Sequence, residues 1–286
     1  MDIDRFWDLI EQARVTAGPA ADQAVRDFDE PDDDPDRDYW DFDDLDLSSA
    51  LAVDGSLNGN GNGVAPGAAE AGEDDKADEE VEDDEDDDLE DDEEDEEDED
   101  VTDPVALALL DLLTQLPAEE IAAFDNIFEE QRFRAENDDV ANAAVLIEHG
   151  FLGDDSFDDF RAGLVALGRS TFEAALDDPD TLAAHPLVRE IAAANDPRWL
   201  GREDMLFVAS HAYSVVTGED EVTFYDFAES LRGDDPEPDE DDQEVDEWSV
   251  TDEEETRRRL PRLSDLFYAK SMRNRQRAMD KLGLQD

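Results

Sequence analysis

The chain has 286 residues, 88 Asp plus Glu against 22 Lys plus Arg, a formal charge of -66 and no cysteine. The missing cysteine excludes disulfides, thiolate metal sites, iron–sulfur clusters and a cysteine nucleophile. No stretch approaches the roughly 18 to 20 consecutive apolar residues of a membrane span, and the opening Met1-Asp2-Ile3-Asp4-Arg5 lacks the basic-then-apolar order of a secretory signal. These features predict a soluble, cytoplasmic protein with no membrane association.

Asp outnumbers Glu 55 to 33, and Arg outnumbers Lys 19 to 3. A surface of short, heavily hydrated carboxylates is the composition expected of a cytoplasm at molar salt. There the Debye length falls to about 3 Å and self-repulsion is screened. A halophilic source is expected, and in such a source the net charge is partly background and no proof of a basic partner.

Taken in chain order, residues 1–16 place Ile3, Phe6, Trp7, Ile10 and Ala13 three and four apart, which predicts a helix that docks on a core. Residues 17–103 read as a disordered acidic insertion. Between Glu70 and Asp103 there are 26 acids and one Lys, with Val81, Leu89 and Val101 as the only large apolar side chains, too few to offset the entropy of ordering. Inside the insertion, Tyr39, Trp40, Phe42 and Leu45 alternate with aspartates. Acid and apolar alternation of this kind predicts a binding segment for a partner groove or for the protein's own core.

Residues 104–233 read as the helical core domain. Asp103 caps and Pro104 opens a helix carrying Val105, Leu109, Leu112, Leu113 and Leu116. Pro117-Ala-Glu119-Glu120 starts the next, with Ile121, Phe124, Ile127 and Phe128 on its buried face. A third runs from about Asp139 to His149 and stops at Gly150. A single long helix opened by Asp154-Asp155-Ser156 is expected to continue through Phe172 to Asp178-Pro179. Helices follow at 202–217 and 223–232, and no alternating strand signal lies between them. Residues 234–256 read as an acidic linker and 257–286 as a basic C-terminal helix. The fold class is all-α, a helical bundle with long acidic insertions.

Phe6-Trp7-Asp-Leu-Ile10, Leu116-Pro-Ala-Glu-Glu-Ile-Ala-Ala-Phe124, Asp155-Ser-Phe157-Asp-Asp-Phe160-Arg161, Leu164-Val-Ala-Leu-Gly168-Arg169 and Asp178-Pro179-Asp-Thr-Leu182 resemble the domain of unknown function 4240 family. Trp248 and Leu260-Pro261-Arg262-Leu263 resemble a C-terminal segment of some members. The resemblance implies a fold neighbourhood and no particular reaction.

Three histidines, His149, His185 and His211, stand in no metal-ligand spacing, and His149 reads as a dipole partner beside a solvated loop. No phosphate loop, nucleophile elbow or calcium loop is present in the sequence. No catalytic constellation, metal site or cofactor is expected. Arg161 and Arg169, eight apart on the expected long helix, either bridge carboxylates and tie the first helix to the bundle or line an anion or peptide site with Trp7. Three functions follow: a helical protein-interaction module with an unidentified protein partner, an acidic chaperone or nucleic-acid mimic holding basic proteins, and a hydrolase using Arg161. The basic terminus is expected to pack on the acidic core or on a partner. Nucleic acid is not the expected ligand, because the rest of the chain repels phosphate.

Overall fold

In the computed structural model the chain is all-α. The structure describes residues 1–25, 101–195, 197–232 and 248–282, and these lie in one compact unit. Among them the only β-type pairing is an isolated bridge between Val25 and Trp199.

Local chemistry sets the helix starts. Helix α1 (Ile3–Ala17) begins where the Asp2 carboxylate accepts from Arg5 N, and it buries Phe6, Trp7, Leu9, Ile10 and Ala13. Helix α2 (Pro104–Leu113) begins at Asp103, whose Oδ1 accepts from Val105 N and Ala106 N, while Pro104 takes a position that needs no N–H. Helix α3 (Ala118–Arg134) opens with Glu119 and Glu120 against the positive end of its dipole, and α4 (Asp138–Ile147) is capped by Asn137. Helix α1 packs along α2, and Phe6 meets Phe124 of α3 with ring centroids 4.9 Å apart. Each such buried side chain contributes roughly 1.5–3 kcal/mol, which holds α1 on the core.

The long helix expected from Asp154 to Asp178 is two helices, α5 (Asp154–Ala166) and α6 (Arg169–Asp177). They part at Gly168, where φ is +88°, a conformation that side chains with a Cβ rarely adopt. The apolar stripe runs on through the break, so periodicity did not reveal it. Arg161 and Arg169 therefore belong to different helices. A 3-10 turn (Pro179–Ala184) and a short helix α7 (Pro186–Ala193), not expected from the sequence, lead to α8 (Asp204–Thr217). Gly218 ends α8 in the left-handed region, and α9 (Glu221–Arg232) folds back on α8 and α3.

Two expected boundaries shift. Residues 18–25, assigned to the insertion, form a 3-10 turn (Gly18–Asp22) with Ala21 buried, followed by the Val25 bridge. At the other end the structure resumes at Trp248, inside the segment read as linker to residue 256. Trp248, Val250 and Thr256 are buried there, and α10 (Glu253–Arg259) begins at an Asp252 cap. The last acids of the segment read as linker, Glu253, Glu254 and Glu255, are the first turn of α10, with Arg257, Arg258 and Arg259 in its last turn, which suits the helix dipole at both ends. Hydrogen bonds from Arg258 and Arg259 hold the Glu255 carboxyl down to about 2. The chain continues through α11 (Pro261–Leu263), a π turn (Ser264–Tyr268) and α12 (Ala269–Leu282), burying Leu260, Leu263, Phe267 and Tyr268. Several of its basic side chains lie against the acidic core: Arg259 beside Asp139, Arg262 on Asp180, and Lys270 donating to Ala194 O. The side chain of Leu282 lies outside the described residues.

Candidate functional site

The structure places Trp7 and Arg169 together and Arg161 apart from them. Trp7 is buried against Phe6 and Phe172, with centroid distances of 5.0 and 5.4 Å, and its indole N–H has no hydrogen-bond partner. Arg169, the first residue of α6, donates from Nη1 to Asp4 of α1 at 2.7 Å, and its backbone N–H donates to Glu11. These groups line a shallow cavity of 440 Å³ with Asp8, Ser170 and Glu173. Four carboxylates surround one guanidinium there, so the cavity has the wrong sign for an anion. Arg161 donates to Glu136 at 2.8 Å and to Asp158, with its guanidinium 4.8 Å from the Phe157 ring centroid. Arg161 bridges two carboxylates, and the Arg169 guanidinium pairs with one, Asp4, which joins α1 to α6. Tyr39, Trp40 and Phe42 lie outside the described residues.

His149 differs from its expected place on a solvated helix end. It is fully buried with φ at +62°, its Nε2 lies 2.8 Å from Arg198 O, and its ring stands edge-on to Trp199. Beside it the Glu148 carboxylate accepts from Leu200 N and Gly201 N, so the pair fixes the loop that precedes α8. His185 caps α7, its Nδ1 accepting from Leu187 N, and burial pushes its pKa down, which keeps the ring neutral for that role.

Four further polar groups have roles that the sequence reading missed. Asn142, buried on α4, donates to Trp248 O and accepts from Val250 N, and so holds the start of the C-terminal segment; the Trp248 indole donates to Asp139. Arg202, also buried, pairs with Asp103 and donates to Ala21 O and Gln23 O. Asp125 of α3 is buried, and burial, then Glu129, pushes its carboxyl up to about 7. Asp159 is raised to about 7 by burial and by Glu203, Asp158 and Asp155. The signal available for Arg202 was its scarcity value: a base beside Gly201, in a chain with 22 bases, needs a partner.

Among the described residues no group of three or more His, Asp or Glu is placed to hold a metal ion, and no helix is long and apolar enough to cross a membrane. A groove of 640 Å³ lies at α3 and α9, lined by Ala123, Ile127, Phe133 and Leu231 and by Glu129, Glu130 and Arg232. Phe133 is 61% and Leu231 46% exposed. Arg232 is engaged by Asn126, whose amide donates in turn to Ala228 O, so the polar wall of the groove is fixed.

Residues 88–215 match the family described as protein of unknown function (DUF4240), which supports the resemblance seen in the sequence over α2 to most of α8. No curated protein and no solved structure matches the chain.

Proposed function

We propose that the chain is a helical protein-interaction module, working without a cofactor, that takes an apolar anchor of a partner protein into the groove between α3 and α9. The supporting observation is the exposure of Phe133 and Leu231 over that groove in a chain with 88 acidic residues. Apolar side chains grouped on a surface otherwise rich in carboxylates mark a place where another surface excludes water. Glu129 and Glu130 on the rim suit a Lys or Arg flanking the anchor, which defines the partner as a protein segment with one large apolar residue and a basic neighbour. In this reading α1 and residues 104–282 act as the module and residues 26–100 as an appendage. In this reading the Asp-rich, Lys-poor composition supports the cytoplasm of a halophilic cell as its setting.

Affinity capture from a high-salt lysate tests the proposal, with the wild-type chain beside Phe133→Glu and Leu231→Glu. Both positions are exposed, so the variants keep the wild-type melt. Proteins held by the wild type and lost by both variants are the expected result. Identical captured sets would overturn the proposal.

A further inference from the structure

Both ends of the stretch 26–100 are fastened to one loop, Trp199–Asp204. On the entry side Val25 exchanges two backbone hydrogen bonds with Trp199, each 3.0 Å, and Arg202 donates to Ala21 O and Gln23 O at 2.9 and 3.2 Å. On the exit side the Asp204 carboxylate accepts from Thr102 N at 2.7 Å, and Asp103 pairs with the same Arg202 guanidinium. That ion pair is almost wholly removed from water, with side-chain exposures of 1% for Arg202 and 6% for Asp103.

We propose that this loop is a buckle that holds the entry and exit of residues 26–100 side by side, so that the helical module folds independently of what lies between them. A buried ion pair is a weak source of stability compared with apolar side chains of the same volume, and its use here is positional. A guanidinium offers five donors in a rigid plane. Arg202 directs Nη1 at one carboxylate and Nη2 at two backbone carbonyls, acceptors that come from opposite sides of the stretch. Asp103 turns its other oxygen to the first N–H groups of α2, so the pair joins the start of α2 to the turn after α1. The two ends lie within reach of about ten residues, which span roughly 33 Å when extended.

The test uses the full chain and a variant in which residues 26–100 are replaced by about ten Gly and Ser residues. Both are melted in one high-salt buffer, each with and without Arg202→Met. The short-linker chain should keep the helical circular dichroism of the described helices and melt at or above the full chain. Arg202→Met should lower the Tm of the full chain by about 5 °C or more, and clearly less in the short-linker chain, where the covalent linker already holds the two ends together. If Arg202→Met prevents folding, Asp103→Asn, which keeps an oxygen for the α2 cap, is compared in the same way. A short-linker chain that melts well below the full chain, or equal shifts in the two backgrounds, would overturn the proposal.

Discussion

Asp125 gives the core a pH signature that can be checked. Its carboxyl, held at about 7 by burial and Glu129, has an ordinary value near 3.8, so between those pH values the folded chain binds a proton that the unfolded chain has released. Stability is then fully present below about pH 4 and is lost as pH rises to about 7. The loss is about 4 kcal/mol if no other group offsets it, at 1.36 kcal/mol per unit. Asp125→Asn should lessen the fall in stability between pH 4 and 7, leaving the share due to Asp159, and be the more stable protein above 7. Denaturation followed at several pH values checks this, and parallel curves for the two proteins would refute it. Asn142 makes the opposite prediction. Asn142→Ala strands Val250 N and Trp248 O, and leaving buried groups unpaired costs about 1–3 kcal/mol each. Its Tm should fall while its pH dependence stays that of the wild type.

At the scale of elements, the C-terminal segment is a working part of the bundle. Trp248, Val250, Leu260, Leu263 and Phe267 are buried, so a chain ending at residue 247 should lose cooperative melting or melt at least 10 °C lower. Its seat also depends on Gly150, where φ is +102° and an added Cβ would stand 2.3 Å from Ser271 O, backbone against backbone. Gly150→Ala should cost roughly 2–4 kcal/mol. Gly218→Ala, also at positive φ but with open space around it, should cost only about 1 kcal/mol. A denaturation series on the two variants tests the difference.

The elements that could be read from the sequence were those whose cause is local. The α1 stripe, the Asp103-Pro104 start of α2 and the glutamates opening α3 each lie within a few residues of their effect. What could not be read depends on distant partners. The Gly168 break lies against α1, where a Cβ would meet the Glu11 and Arg14 side chains. The role of Asn142 needs the backbone of residues 248–250, and the role of Arg202 needs three acceptors that all lie far from it in sequence, Ala21, Gln23 and Asp103. In the candidate site, the expected grouping of Trp7, Arg161 and Arg169 holds for Trp7 and Arg169, which line one cavity, and not for Arg161. The groove at Phe133 and Leu231 was not, because exposure of an apolar residue on an amphipathic helix is decided by the packing of its neighbours.

For the whole molecule, charge decides the conditions under which these contacts hold. A net charge of -66 opposes the compact state in dilute buffer, and at about 1 M salt the Debye length of roughly 3 Å confines that repulsion to near neighbours. The chain should therefore lose its cooperative melt as salt is withdrawn to about 0.1 M, and a full helical signal there would contradict the halophilic reading. The same salt separates the two ways of holding a partner. Apolar docking at the groove persists or strengthens as salt rises, whereas capture of basic proteins by carboxylates weakens. The most direct test is the amount of partner retained by the full chain between about 1 and 3 M salt, range enough to keep the fold and vary the screening. Retention that holds or grows, and that Phe133→Glu abolishes at every salt concentration, is the predicted result. Retention that falls steadily with salt and is untouched by Phe133→Glu would contradict it.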